Sequence, residues 1–320
     1  MNAFFKNKKV LVTGGAGFVG SNLIVKLLNL EADVTATVHN KPAQIIDDRI
    51  KYIKCDLQKK EDCLEVCKDV DYMFICSAVT AGASIMQNKP LFLLSPNTII
   101  NLNLLEAAYE RKIRKVLFIS SSTVYPVTDY PVKEEDVSGE YFDKYFMAGW
   151  MKRYSEAVCE MYATKIKNPM PVIVVRPGNL YGPYDDFDWE TSHVLPAFIR
   201  RVVEKHDPIS VWGDGKDIKD FIYIDDFIYG TLLAMKKYDS FNIINIAGGN
   251  SYCLRDLLNI LLKIDDNEDA KVIYDLSKPT MIPIRLINID KAKSQLGFEP
   301  STSIESGLRK TLEWYKENKL

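Results

Sequence analysis

The chain has 320 residues, with 41 Lys and Arg against 43 Asp and Glu, giving a formal charge of −2 at pH 7. A content of 47% hydrophobic and 26% charged residues excludes a disordered polypeptide and is sufficient for one large core or two joined ones. Charges of both signs are interleaved, which argues against nucleic acid or a membrane as partner and leaves phosphate binding to a local site.

The first apolar run, Ala3 to Phe5, stops at Lys6, too short for the core of a secretory signal. No later run approaches the roughly 18 apolar residues of a membrane span. A cytoplasmic location is therefore expected. Six cysteines in this length lack the density of a disulfide framework and are expected to be reduced. Cys63 and Cys67 share a helix face, without the second pair or histidine cluster that a metal site needs.

Val10–Thr13 reads as the first strand and Ser21–Leu30 as the first helix. Between them "VLVTGGAGFVGSNL" places Gly14, Gly17 and Gly20 where a dinucleotide loop needs a tight turn, close backbone approach and close helix packing. The helix start, with Phe18 and Val19, supplies amide donors for a pyrophosphate.

The second strand, Val34–Val38, runs into "TVHNKP", with neither the acid that holds a ribose diol nor an arginine for a 2′-phosphate. Asn40 suits the diol and favours NAD, while His39 and Lys41 suit a phosphate and leave NADP open. Tyr52–Cys55 is the third strand, followed by Asp56, placed to accept from an adenine amine or to cap a helix, and by Leu57.

Tyr72–Cys76, ending near Ala78, then Val116–Ser120 and Val172–Val175 are further strands, and Pro96–Arg111 and Trp150–Ile166 are helices between them. Near-continuous apolar strands alternating with helices predict an α/β fold, a Rossmann-type doubly wound parallel sheet. Beyond Arg176 the pattern is irregular, with a helix near Pro196–Lys205, strands at "ISVW", "FIYI" and "FNIINIAGG", and helices at Leu254–Ile264 and Ser303–Lys316. The expected division is an NAD(P)-binding domain over 1–176, with 220–250 returning to it, and a smaller C-terminal α/β lobe over 177–320.

"FISSSTVYP" ends a strand with a run of hydroxyls at the mouth of the sheet, where ligands bind in open α/β folds. With the glycine loop, the lysine-bearing "FMAGWMKRYSE", "RPGNLYGP" and "FIYIDD" in this order, the sequence resembles the extended short-chain dehydrogenase/reductases, the NAD-dependent nucleotide-sugar epimerase/dehydratase family. Within it, "CSAVTAGASIMQN", "SSSTVYP", "NLYGPYDDFDWETSHVLPAFIRR", "ISVWGDG" and "DLSKPT" are most similar to the GDP-fucose synthases.

The resemblance implies that Ser121 bonds the reacting sugar oxygen and that Lys152 grips the nicotinamide ribose. It implies a nucleotide-sugar substrate, GDP-linked, held by Asn179, Val194, Phe198, Arg201, Trp212, Lys219 and Lys278, and a homodimer built on the lysine helix. Three positions depart from the family pattern. Ala148 stands where the family has its proton-carrying tyrosine, one turn before Lys152; Thr123 replaces a cysteine that exchanges protons beside the ketone; Lys219 replaces an arginine. His193 matches a second epimerisation residue, or bonds sugar hydroxyls from a loop.

Loss of the cysteine favours redox at one carbon, C4, as in the bacterial GDP-heptose 4-dehydrogenases of capsular heptose synthesis. A 4-keto reductase or 4-epimerase is the alternative, and a non-catalytic NAD(H)-binding sensor a further one. Tyr145, three residues before Ala148, replaces the missing tyrosine only if the helix entry bends toward the nicotinamide.

Overall fold

The structure is a computed structural model that describes residues 1–80, 91–278 and 280–320. A short helix α1 (Asn2–Phe5) precedes β1 (Lys9–Thr13), whose sequence KVLVT is buried from its second residue onward. There follow α2 (Phe18–Asn29), β2 (Asp33–Val38), β3 (Ile50–Lys54), α3 (Lys60–Val66) and β4 (Tyr72–Ile75). The alternation continues through α4 (Leu91–Glu110), β5 (Lys115–Ile119), α5 (Phe146–Thr164) and β6 (Val172–Pro177).

These strands join β10 (Asn242–Ile246) in one parallel seven-stranded sheet of order β10-β6-β5-β4-β1-β2-β3. Alternate residues of a strand face opposite cores, as the two-residue side-chain period requires. Val10 and Val12 pack with Leu23 and Ile24 of α2 on one face, while Leu11 packs with Leu104 of α4 and Cys159 of α5 on the other. The chain order reverses between β1 and β4, which opens a crevice at their carboxyl ends.

Four short strands, β7 (Asn179–Tyr181), β9 (Ile218–Tyr223), β11 (Ser251–Cys253) and β13 (Ile284–Arg285), form a second sheet. A two-stranded ribbon pairs β8 (Ile209–Trp212) with β12 (Val272–Asp275). Among them lie helices α6 (Val194–Val203), α7 (Ile224–Lys237), α8 (Leu254–Ile264), α9 (Asp290–Leu296) and α10 (Ile304–Lys319).

The sequence reading finds the strands of the large sheet but starts α2 and α5 three to four residues late, at Ser21 and Trp150. Gly20 and Gly149, poor helix formers, hide the true starts at Phe18 and Phe146. It also misses α7, since "FIYIDDFIYG" is rich in aromatic and β-branched residues. Tertiary packing overrides that propensity: Ile224, Phe227, Ile228, Leu232 and Met235 are all buried. Gly230 lets α7 lie close, for a Cβ there would stand 2.7 Å from Ile246 and 2.9 Å from Phe298.

Candidate functional site

The glycine loop leaves the carboxyl end of β1 and is fixed by Thr37 of β2, which accepts from the Gly14 amide through Oγ1 at 3.0 Å and from the Gly15 amide through its carbonyl at 2.8 Å. Gly14 has φ of +71°, and a Cβ on it would lie 2.8 Å from Ser77 Cα, so both conformation and space require glycine. A Cβ on Gly20 would fall 2.2 Å from the Gly14 carbonyl oxygen, which explains why α2 can start so close to the loop. Gly17 caps α2 in extended conformation and offers no side-chain acceptor to the first-turn amides of Phe18, Val19 and Gly20. Uncapped amides over a cradle that any side chain would fill fit the pyrophosphate of a dinucleotide.

At the rim, His39 and Asn40 are exposed beyond β2, and Lys41 reaches Asp186 at 3.7 Å. Asp56 accepts from the Gln58 amide at 3.0 Å while its own amide donates to Asp62 at 2.8 Å, so it closes the turn ahead of α3. Leu57 is buried beside it, and Ala78 is exposed beyond β4. Asn97, inside α4, holds this loop by accepting from the Val79 amide at 2.8 Å and donating to the Val79 carbonyl at 2.9 Å. The stretch "CSAVTAGASIMQN" lies beyond Thr80 mostly outside the described residues, as does Pro279 of "DLSKPT".

Ser121 begins a single 3-10 turn, Ser122–Val124, at the end of β5. Its Oγ accepts from the Thr123 amide at 3.1 Å and from Thr123 Oγ1 at 3.0 Å. Both acceptor sites are thus filled, and the Ser121 O–H is left to donate to a ligand. The turn is abutted by α5: a Cβ on Gly149 would lie 2.5 Å from the Thr123 carbonyl. Gly149 therefore brings Ala148 and Lys152 against the hydroxyl turn.

Lys152 Nζ donates to the Ile119 carbonyl at 2.8 Å and sits 4.8 Å from the centre of the Phe118 ring. Burial pushes its ammonium down to about 8, against the attraction of Glu156. Glu156, one turn on, anchors α5 to the sheet through Arg176 of β6, with Arg176 Nε to Oε1 at 2.8 Å and Nη2 to Oε2 at 2.7 Å. Ser120 donates to the same carboxylate at 2.5 Å, and Arg176 Nη1 donates to the Tyr125 hydroxyl at 3.0 Å.

His193 is the N-cap of α6 and is exposed, yet desolvation by its surroundings, with Lys219 acting in the same sense, lowers its pKa against the pull of Asp186. Val194 follows it, whereas Phe198 is only 2% exposed and packs in the core beneath α6. Asn179 donates to the Asp220 carbonyl at 2.8 Å, and Lys219 pairs with Asp217 at 3.1 Å. Arg201 lies 5.2 Å over the Trp189 ring, and Lys278 lies 5.9 Å over the Trp212 ring. Asn97 carries no motif signal, and only the fold reveals its place.

A separate groove of about 690 Å³ runs along Pro126–Tyr130, Glu135–Ser138, Glu140 and Pro283–Ile284. It shares no residue with the glycine loop, the hydroxyl turn or α5, and its acidic side chains do not suit a diphosphate. Cys63 and Cys67 are spent locally, donating to the Leu57 carbonyl at 3.3 Å and to Met73 Sδ at 3.9 Å.

The family model described as "NAD dependent epimerase/dehydratase family" matches residues 10–247. A relative, GDP-L-fucose synthase 1 of Arabidopsis thaliana, is 28% identical over 325 residues, covering 98% of this chain and 94% of that protein. The solved structure of UDP-glucose 4-epimerase from Thermotoga maritima with UDP-glucose superposes with a TM-score of 0.87 at 25% identity, over 97% of this chain and 99% of that one. UDP-glucuronic acid 4-epimerase from Bacillus cereus, solved with UDP-glucuronic acid and NAD, gives a TM-score of 0.84 at 28% identity over 97% and 99%.

Proposed function

Because the chain belongs to the NAD dependent epimerase/dehydratase family, we propose that it is an NAD-dependent oxidoreductase acting at C4 of a nucleotide-sugar. The specific reading is a GDP-D-glycero-D-manno-heptose 4-dehydrogenase of capsular polysaccharide sugar synthesis. The observation that carries it is an uncommitted Ser121 proton on the turn that α5 abuts, a half-buried Lys152 on that helix, and no tyrosine at position 148.

When bound, the nicotinamide supplies the hydride acceptor. The glycine loop and the first turn of α2 would hold its pyrophosphate, Asn40 and Asp56 its adenosine half, and Lys152 its nicotinamide ribose. Ser121 donates to the C4 oxygen and so fixes that carbon as the reacting one. With Ala148 offering no proton carrier, the proton leaves through water next to Ser121 and Lys152, whose lowered pKa lets it accept near neutral pH. Thr123 is too weakly acidic to exchange protons at C3 or C5, which supports chemistry at one carbon.

Arg201 and Lys278 are cations beside indole rings, chemistry that suits a nucleoside diphosphate, and Lys219 and Asn179 line the same lobe. The relative named for a GDP-sugar supports the GDP linkage. We assign 1–176 with 220–250 to the cofactor and 177–320 to the nucleotide-sugar, and place the enzyme in the cytoplasm. A homodimer through α5 fits its exposed Trp150, Tyr154 and Met161, of which the first two stack at 5.4 Å. Val158 of the same helix is instead buried in the core.

The reading is tested by incubating the protein with NAD, GDP-heptose and an acceptor that reoxidises NADH, then quenching with borodeuteride. Deuterium at C4 is expected. No trapped ketone from any GDP- or UDP-sugar rejects the dehydrogenase, inverted C4 without released ketone favours a 4-epimerase, and binding of NADH without any nucleotide-sugar favours a sensor.

A further inference from the structure

Tyr145 closes the 3-10 turn Asp143–Tyr145 directly before α5, as the N-cap of that helix. Its ring leans on Phe142 with centroids 6.1 Å apart, and its hydroxyl has no hydrogen-bond partner among the described residues. The charged groups that bear on this hydroxyl are Arg285 and Asp217, whereas the carboxylate bearing on Lys152 is Glu156. At the helix entry the adjacent Lys144 donates to the Thr280 carbonyl, which sets this end of α5 against the segment leading into β13 of the second sheet.

Both neighbours are already committed. Arg285 donates to the Pro126 carbonyl at 2.9 Å and the Tyr125 carbonyl at 3.1 Å, directly after the hydroxyl turn. Asp217 is held by Lys219 at 3.1 Å. Among the described residues the Tyr145 phenol, under the influence of these two groups, keeps its hydroxyl open, able to donate and to accept. Burial raises its pKa to about 12, the opposite of the acidification a proton carrier needs.

Resting on the reading of the cleft as a nucleotide-sugar site, we propose that Tyr145 recognises the sugar, its hydroxyl bonding a hydroxyl of the hexose or heptose ring, and takes no part in proton transfer. An aromatic body with a polar tip suits a sugar, which presents apolar faces and hydroxyl edges. Tyr145 would then set specificity for the sugar and leave the nucleotide and the cofactor to other residues.

The experiment is calorimetry of wild type and Tyr145→Phe with GDP, GDP-mannose, UDP, UDP-glucose and NADH. The substitution keeps the ring and its packing, and far-UV circular dichroism checks the fold. Removing one ligand hydrogen bond should weaken whichever nucleotide-sugar the wild type binds by about five- to twentyfold. The free nucleotide and NADH should bind within twofold of wild type. Unchanged nucleotide-sugar affinity, or an equal loss for the free nucleotide, overturns the proposal. So does a shift in the pH profile of turnover, which would mark Tyr145 as a proton carrier. If wild type binds NADH but no nucleotide-sugar, the functional reading itself fails and this one with it.

Discussion

A methyl group at position 148 leaves α5 with a cation one turn on, Lys152, and no hydroxyl to accompany it. If proton transfer limits turnover for that reason, Ala148→Tyr should raise the single-turnover rate of NADH formation at least tenfold, general acid–base groups contributing about 10²–10⁴. An unchanged rate would show that water beside Ser121 and Lys152 already suffices.

Lys152 has a second consequence. Its folded value of about 8 lies below the ordinary 10.5, so between the two the native state binds fewer protons than the unfolded chain. Stability from this group is therefore lowest below 8 and rises with pH from 8 toward 10.5. Denaturant midpoints should show Lys152→Met more stable than wild type at pH 7, by a margin that narrows at pH 9.5. Its NADH affinity should fall at both.

At the scale of elements, two contacts place the chemistry. Gly149 lets α5 touch the hydroxyl turn, and Arg176 with Glu156 locks α5 to β6. Gly149→Val should lower stability by about 1–3 kcal/mol, the usual cost of overpacking, and should weaken NADH and nucleotide-sugar binding together. Urea unfolding and calorimetry check both; a stability loss without a binding loss would separate α5 from the site.

The strands, the glycine loop and the hydroxyl turn were legible in the sequence because each combines a period with punctuation. Helix α7 was not, since a helix buried on most sides has no polar face to betray its period. The position of Tyr145 was equally hidden, because the direction of a helix entry depends on a 3-10 turn that "DKYFMAG" does not signal. Phe198 lies within a stretch that resembles a binding motif, yet its side chain faces the core, as spacing along α6 alone does not reveal.

At the scale of the molecule, Asp220 of β9 accepts from the Gly248 amide at 2.8 Å and the Gly249 amide at 2.7 Å, just past β10 of the large sheet. It thus ties the strand that carries Lys219 to the sheet that carries the glycine loop. Asp220→Ala would orphan two amides and should cost about 2 kcal/mol or more in thermal or urea unfolding. A small change would mean that other contacts hold the two sheets. A paired assembly through α5 should sediment as a dimer and fall to a monomer on Trp150→Glu.

The central claim, oxidation at C4, is tested most directly by isotope transfer in a single turnover. GDP-heptose deuterated at C4, mixed with the enzyme and NAD, should yield NADH one mass unit heavier, while sugars deuterated at C3 or C5 yield unlabelled NADH. Label arriving from another carbon, or no NADH formed while the sugar is bound, would contradict the account.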